Sequence, residues 1–306
     1  MRRAPLWMLA VAAIAGCKPN FGEPASLVDG PRILAVKADP PEVRPSMPAT
    51  FTALVVSPSG TDAAPPVDWS LCLTPKPLDE NNIVSTACLG DMGIMAVAMG
   101  APTATATVPA NACALFGPDP PPQMMGQPPL RPRDPDVTGG YYQPLRLDDA
   151  GTVGFALERV TCDLAQAGAD LAVQYAMTYQ ANTNPSLLPL AALVNDAPVA
   201  LDALPAGAAV DFVTGWPAES VESFPVFDLP SASLITHRES MRVSWFATDG
   251  SFMHEVTGRE EDDSATWTDD VWTAPATPGV VHVWIVLRDS RGGTDFAAYD
   301  VTVVAP

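Results

Sequence analysis

The chain has 306 residues, with 16 Lys plus Arg against 35 Asp plus Glu; a formal charge of −19 leaves no basic face for a phosphate backbone and excludes nucleic acid as a partner. Its residues are 47% hydrophobic, too apolar for a charged disordered chain, and its 34 prolines argue against long helices, because an interior proline costs about 3 kcal/mol. At this length two domains are expected.

The N-terminus carries Arg2 and Arg3, then an apolar run from Leu6 to Ala15, then Gly16. This is the order of a secretory signal, and the run is well short of the roughly 20 residues that span a bilayer. Residues 1–16 are therefore expected to be a signal peptide. The stretch Ile14-Ala15-Gly16-Cys17 resembles the lipobox of bacterial lipoproteins. That resemblance implies cleavage before Cys17 and acylation of it, so that acyl chains such as palmitate hold the protein on a membrane. Lys18, where an aspartate would favour the inner membrane, implies the outer membrane, with its periplasmic or exposed side left open. An ordinary signal peptide cut near Ala15 or Gly16 would instead leave Cys17 as a mature cysteine. Removing Arg2 and Arg3 with the signal takes the formal charge from −19 to −21. Residues 17–30 are expected to tether the lipid to the first strand, and from Lys18 to Gly30 they reach at most about 40 Å.

The first domain is expected over 31–181. Pro31–Asp39, Ala49–Val56 and Val67–Leu73 alternate apolar and polar residues and read as strands, with Trp69 pointing into the core. Four further cysteines, Cys72, Cys88, Cys113 and Cys162, suit two disulfides in an exported chain, and three pairings are open. Cys88 with Cys113 and Cys72 with Cys162 is the expected pairing; the first would bracket an insertion and the second would join core strands. Residues 117–136 hold eight prolines in twenty positions and read as an extended surface loop.

The second domain is expected over 182–306 and repeats the same order: Pro185–Leu190, Ala206–Val213 and Met241–Thr248, with Trp245 where the first half has Trp69. In the closing parts, Tyr142-Gln-Pro with Gly151–Leu157 is matched to Trp272-Thr-Ala-Pro with Gly279–Leu287, so the chain reads as a degenerate duplication. The last part is a hairpin, with Val281, Val283, Ile285 and Leu287 on one face, a turn at Asp289-Ser-Arg-Gly-Gly293, and a return strand from Phe296 to Val304. Residues 272–304, with their aromatic-x-x-Pro, Pro-Gly and Asp-x-x-Gly-Gly features, resemble the end of immunoglobulin-like domains of the polycystic-kidney and bacterial Ig-like kinds. The resemblance implies an all-β fold of two immunoglobulin-like β-sandwich domains, without the Cys…Trp…Cys spacing of antibody domains. The whole chain also resembles proline-rich Ig-like lipoproteins of myxobacteria-like organisms.

Chemistry is sparse. Glu260, Glu261, Asp262, Asp263, Asp269 and Asp270 form the most acidic stretch, and clustered carboxylates on a sandwich loop suit Ca²⁺; the alternative is a solvated loop that keeps the chain soluble. Met92, Met95 and Met99 raise Cu(I), against the alternative of core filling. His254-Glu255 lacks the second histidine of a zinc-protease motif, and no nucleophile elbow or nucleotide loop occurs, so no catalytic residue is assigned and enzyme activity is left open. Trp216 and Trp267 flank polar turns and are candidates for stacking on a glycan. The reading is a lipid-anchored cell-envelope protein acting as a structural or protein-binding module, with another envelope protein as partner. Its rivals are a polysaccharide-binding surface module and, further off, an envelope hydrolase.

Overall fold

The computed structural model describes residues 23–76, 83–117, 125, 138–162, 164 and 167–305. Cys17, residues 1–16 and all of the 117–136 segment except Gly117 and Met125 lie outside the described residues. The chain is all-β in architecture, with two clusters of sheets over 32–161 and 191–306.

In the first cluster, Pro48–Ser57 lies between Arg32–Asp39 on one side and Gly60–Thr61 and Thr103–Thr107 on the other. The facing sheet runs Glu42–Val43, Thr152–Thr161, Gly140–Asp149, Asp68–Cys72, Ile94–Ala98. The second cluster repeats both patterns. Ala209–Gly215 lies between Ala191–Val194 and Trp267–Thr273, while the facing sheet runs Leu204–Pro205, Thr294–Val304, Gly279–Asp289, Met241–Ala247, Val256–Arg259. Even the short parallel pairings correspond, Glu42–Val43 with Thr152–Thr161 and Leu204–Pro205 with Thr294–Val304.

This order corrects the expected matching of the closing strands. Gly140–Asp149 corresponds to Gly279–Asp289, and the counterpart of Trp267–Thr273 is Thr103–Thr107. A further strand at 152–161 pairs with 140–149 as 294–304 pairs with 279–289. Pro185–Leu190 is not a strand; two prolines in six residues remove ladder donors, and pairing starts at Ala191.

Alternation sets the cores. Trp69 and Trp245 occupy equivalent strands and are both 0% exposed, each with its indole N–H bonded, to the Ala101 carbonyl at 2.7 Å and to Thr257 Oγ1 at 2.9 Å. Phe212 stacks on Trp272 with ring centres 5.3 Å apart.

Besides the short edge strands Gly60–Thr61, Ala197–Val199 and Ser251–Phe252, which have no counterpart in the other cluster, two larger elements depart from the duplicated plan. A helix, Ala169–Thr178, follows Gly168. Leu171, Tyr175 and Tyr179 recur at the four-residue spacing of one helix face and pack with Leu164 and Phe227. Phe227 belongs to the second departure, a separate hairpin of Ser223–Asp228 and Ser233–Arg238. An isolated two-stranded hairpin is marginal in water, so the contact with the helix supports both.

The disulfides are Cys72–Cys88 and Cys113–Cys162, which corrects the expected pairing. Cys88 sits in a short 3₁₀ turn, Thr86–Cys88, that folds back beside the Asp68–Cys72 strand, and Cys113 lies in the short helix Ala112–Phe116 beside the end of Thr152–Thr161. The cysteines joined are those brought close by chain reversal, a property that spacing alone does not show. Loop-closure entropy ranks their contributions: losing Cys113–Cys162, 49 residues apart, should cost about 4 kcal/mol, and losing Cys72–Cys88, 16 apart, about 3 kcal/mol. Urea unfolding of the two double-serine variants checks the order.

Candidate functional site: the charged junction between the sheet clusters

The most concentrated set of polar side chains lies where the two clusters meet. Glu42 and Arg159 are partners in a parallel ladder of the first cluster, so their side chains leave the sheet on the same face. Arg291 comes from the turn between the last two long strands. The linker supplies Tyr179, Gln180 and Asn182, and Glu222 and Glu239 bracket the 223–238 hairpin.

Glu42 is the hub. Its buried carboxylate accepts hydrogen bonds from Tyr179 Oη at 2.7 Å, Thr161 Oγ1 at 2.8 Å and the Asn182 amide at 2.9 Å, and pairs with Arg159 Nε at 3.3 Å and Arg291 Nη1 at 3.9 Å. Arg291, 2% exposed, donates from Nε to Glu239 at 2.7 Å, from Nη1 to the Gln180 carbonyl at 3.0 Å, and from Nη2 to Glu222. The Phe224 ring lies 4.7 Å from its guanidinium carbon, a cation–π contact in a desolvated place. Asp289 fixes the turn itself, accepting from the Arg291 and Gly293 amides at 2.8 and 2.9 Å and from Asn182 Nδ2 at 3.1 Å.

Glycines make the room. A Cβ at Gly140 would overlap the Arg159 guanidinium, and one at Gly139, where φ is +73°, would overlap the Tyr175 hydroxyl. A Cβ at Gly293 would overlap the Asp289 carboxylate.

Burial works against the Arg159 charge, but Tyr179 and Glu42 more than offset it, so its pKa lies above the ordinary value; Arg291 is raised likewise, with Glu239 and Tyr179 outweighing burial. Burial, and then Asp289, lifts Glu239 to about 7, with Arg291 pulling it back down. Burial also raises Asp289.

An apolar seam continues the junction. Val28, Ala35, Leu54 and Val56 pack against Trp284 and Val286 of the second cluster, and Trp284 Nε1 bonds Thr61 Oγ1 at 2.8 Å. The first described residues also lie on the second cluster: the Val28 amide bonds the Ala247 carbonyl at 2.8 Å and Val28 is 0% exposed. Within the stretch expected to be a tether, Leu27 bridges to Ala247 through its backbone and the Val28 side chain enters the seam.

Above the junction is a cleft of about 370 Å³ lined by Tyr142, Arg159, Phe224, His237, Arg238 and Arg291 among others. Its two buried guanidiniums are already committed to Glu42, Glu222 and Glu239, and Arg238 donates to the Asp263 carbonyl at 2.6 Å. What the arrangement does chemically is hold fixed charges in fixed places.

The residues singled out from sequence lie elsewhere. Trp216 is 1% exposed and belongs to the second core, so it has no face to offer a sugar. Trp216 continues the inward-facing alternation of Val210, Phe212 and Thr214 one residue past the Ala209–Gly215 strand. Trp267 is 50% exposed, with Arg259 stacked 4.9 Å from its ring centre. The acidic stretch does not converge: Glu260 pairs with Arg242 at 2.7 Å, Glu261 with His237 at 2.8 Å and Asp263 with Arg259 at 3.3 Å, Asp262 and Asp269 are exposed, and Asp270 is buried under the His254 amide. Among the described residues no group of three or more His, Cys, Asp or Glu is placed to hold a metal ion. Met92, Met95 and Met99 are exposed rather than core. The junction was missed because its members are spread from residue 42 to 291. The local signals were the Gly139-Gly140 and Gly292-Gly293 pairs and a lone arginine in the last turn.

No protein-family model matches the chain, and no curated protein matches it. Among solved structures it is similar to the adhesin InvE of Yersinia pseudotuberculosis, at 11% identity and a TM-score of 0.25 over 88% of this chain and 58% of that one. It is also similar to domains 4 and 5 of the S-layer protein SbsC, at 10% identity and a TM-score of 0.20 over 90% of this chain and 100% of that one. A third is dimeric latent PorU of Porphyromonas gingivalis, at 12% identity and a TM-score of 0.21 over 91% of this chain and 24% of that one. At these TM-scores the likeness carries no functional argument.

Truncating one member of a desolvated ion-pair set leaves the others unpaired, so Arg291→Ala should destabilise the protein by about 3–5 kcal/mol, measured by urea unfolding. An exposed pair such as Arg242 with Glu260 should cost under about 1 kcal/mol on the same scale.

Proposed function

We propose that the chain is an acyl-anchored protein of the cell envelope whose two immunoglobulin-like sandwich domains, 31–181 and 182–306, form one stiff structural or protein-binding module. The observation that carries this reading is the junction. A buried ionic hub and an apolar seam tie the two sheet clusters together, which suits a spacer or display body more than a hinged binding cleft. Its charged groups are paired with one another. Cys17 carries the lipid in this proposal, and the outer membrane is its place. Among the described residues no helix is long and apolar enough to cross a membrane, so attachment through acyl chains needs no spanning element.

A polysaccharide-binding reading stands on Trp267 alone, a half-exposed indole with one face held by Arg259. Glycan arrays on wild type and Trp267→Ala separate the two: specific signal lost in the variant supports the rival. A single stoichiometric envelope protein captured from detergent-solubilised membranes supports the module.

Cys17→Ser should move the expressed protein from the detergent phase to the aqueous phase on detergent partition, and should remove the acyl mass increment from the intact-mass spectrum. An unmodified N-terminus in wild type would remove the anchor from the proposal.

A further inference from the structure

Inside the first core lies a polar pair that the junction does not use. Gln143 and Glu158 face each other in the antiparallel ladder of Gly140–Asp149 and Thr152–Thr161. By the two-residue period Gln143 shares its face with Tyr141 and Leu145, and Glu158 shares its face with Ala156 and Val160; all four neighbours pack in that core. The two side chains are 0% and 1% exposed. Gln143 Nε2 donates to the Cys72 and Pro144 carbonyls at 2.5 and 3.1 Å, which commits both its hydrogens and fixes which way the amide is turned. Gln143 Oε1 and both carboxyl oxygens of Glu158 are left without a donor.

Three buried acceptors with no donor between them lack a hydrogen, and a buried polar group left unmade is costly. We propose that Glu158 is kept as a neutral carboxylic acid whose O–H donates to Gln143 Oε1, so that this pair is a proton-dependent lock on the two strands. A cation fits less well: hard ions take six or more oxygens, whereas these two side chains bring three, and among the described residues no cluster of metal-binding side chains adds to them. The charged group acting on Glu158 is Glu42, from the parallel-paired strand; Arg159 leaves on the opposite face and is paired with Glu42, and the nearby disulfides do not titrate.

Burial first, and Glu42 second, raise the Glu158 pKa from 4.5 to about 9. The folded state thus binds this proton more tightly than the unfolded chain does. The lock's contribution is complete below about pH 4.5, is lost as pH rises toward 9, and stays lost above it. Above that point a bare carboxylate sits in an apolar core, on the strand that also carries Arg159 to the junction.

The test compares wild type with Glu158→Gln, which keeps the shape and the donor but cannot ionise. From about pH 5 to 9 the folding constant of wild type should fall relative to the variant by up to tenfold per pH unit. A protonated-carboxyl infrared band surviving at pH 8, above the Glu239 titration, should be present in wild type and absent in the variant. Parallel stability profiles, or no such band, overturn the proposal. If Glu158→Gln does not fold, the band is read in Asp289→Asn, which removes the other buried acid raised by burial: a band kept at pH 8 and lost near pH 9 supports the lock, and its absence at pH 8 overturns it.

Discussion

Charge that has been taken out of water must be paired, and at the meeting of the two sheet clusters that requirement governs the molecule. Arg159 and Arg291 share the Glu42 carboxylate, one from each cluster, and Glu222 and Glu239 take the remaining side of Arg291. A shift of one cluster against the other would leave at least one of these charges buried and alone. Replacing such a set with apolar residues is often neutral or stabilising, so its value lies in admitting one placement. The favourable free energy comes from the seam beside it, where Trp284 and Val286 close over Ala35, Leu54 and Val56.

The duplicated plan explains how this junction could be built. Both clusters use the same order in the facing sheet and the same three main strands in the other, and the larger additions differ: a helix after the last strand of the first, a hairpin between the third and fourth main strands of the second. These additions meet. Leu171 and Tyr175 of the helix pack with Phe227 and Leu234 of the hairpin, and the same segments lead into Tyr179, Glu222 and Glu239. The first residues of the described chain run along the second cluster before the first begins, so the two parts are interleaved at both ends of the first cluster. A body joined in this way transmits position from one cluster to the other, as the proposed spacer role requires.

The alternation of Pro48–Ser57, Met241–Ala247 and Gly279–Asp289 was legible because a strand's two-residue period is local, and so was the burial of Trp69 and Trp245. The helix at 169–178 was missed in a chain dominated by proline, although Ala, Leu, Gln and Met in Ala169–Thr178 are good helix formers. Trp216 shows the opposite error. A tryptophan beside Pro217 and a polar turn reads as exposed, yet the strand before it delivers the ring into a core.

By itself the sequence determined the all-β class, the recurrence of the three opening strands, the acidic composition and the expectation of an acylated start. Each of these depends on neighbours a few residues apart or on composition. The tertiary structure alone decided which cysteines join, which strands of the two copies correspond, that the acidic stretch spends its carboxylates on separate partners, and that Glu42, Arg159 and Arg291 share one buried place. Those outcomes depend on which distant segments exclude water from one another, and a side chain's pairing partner is fixed only when that exclusion is complete.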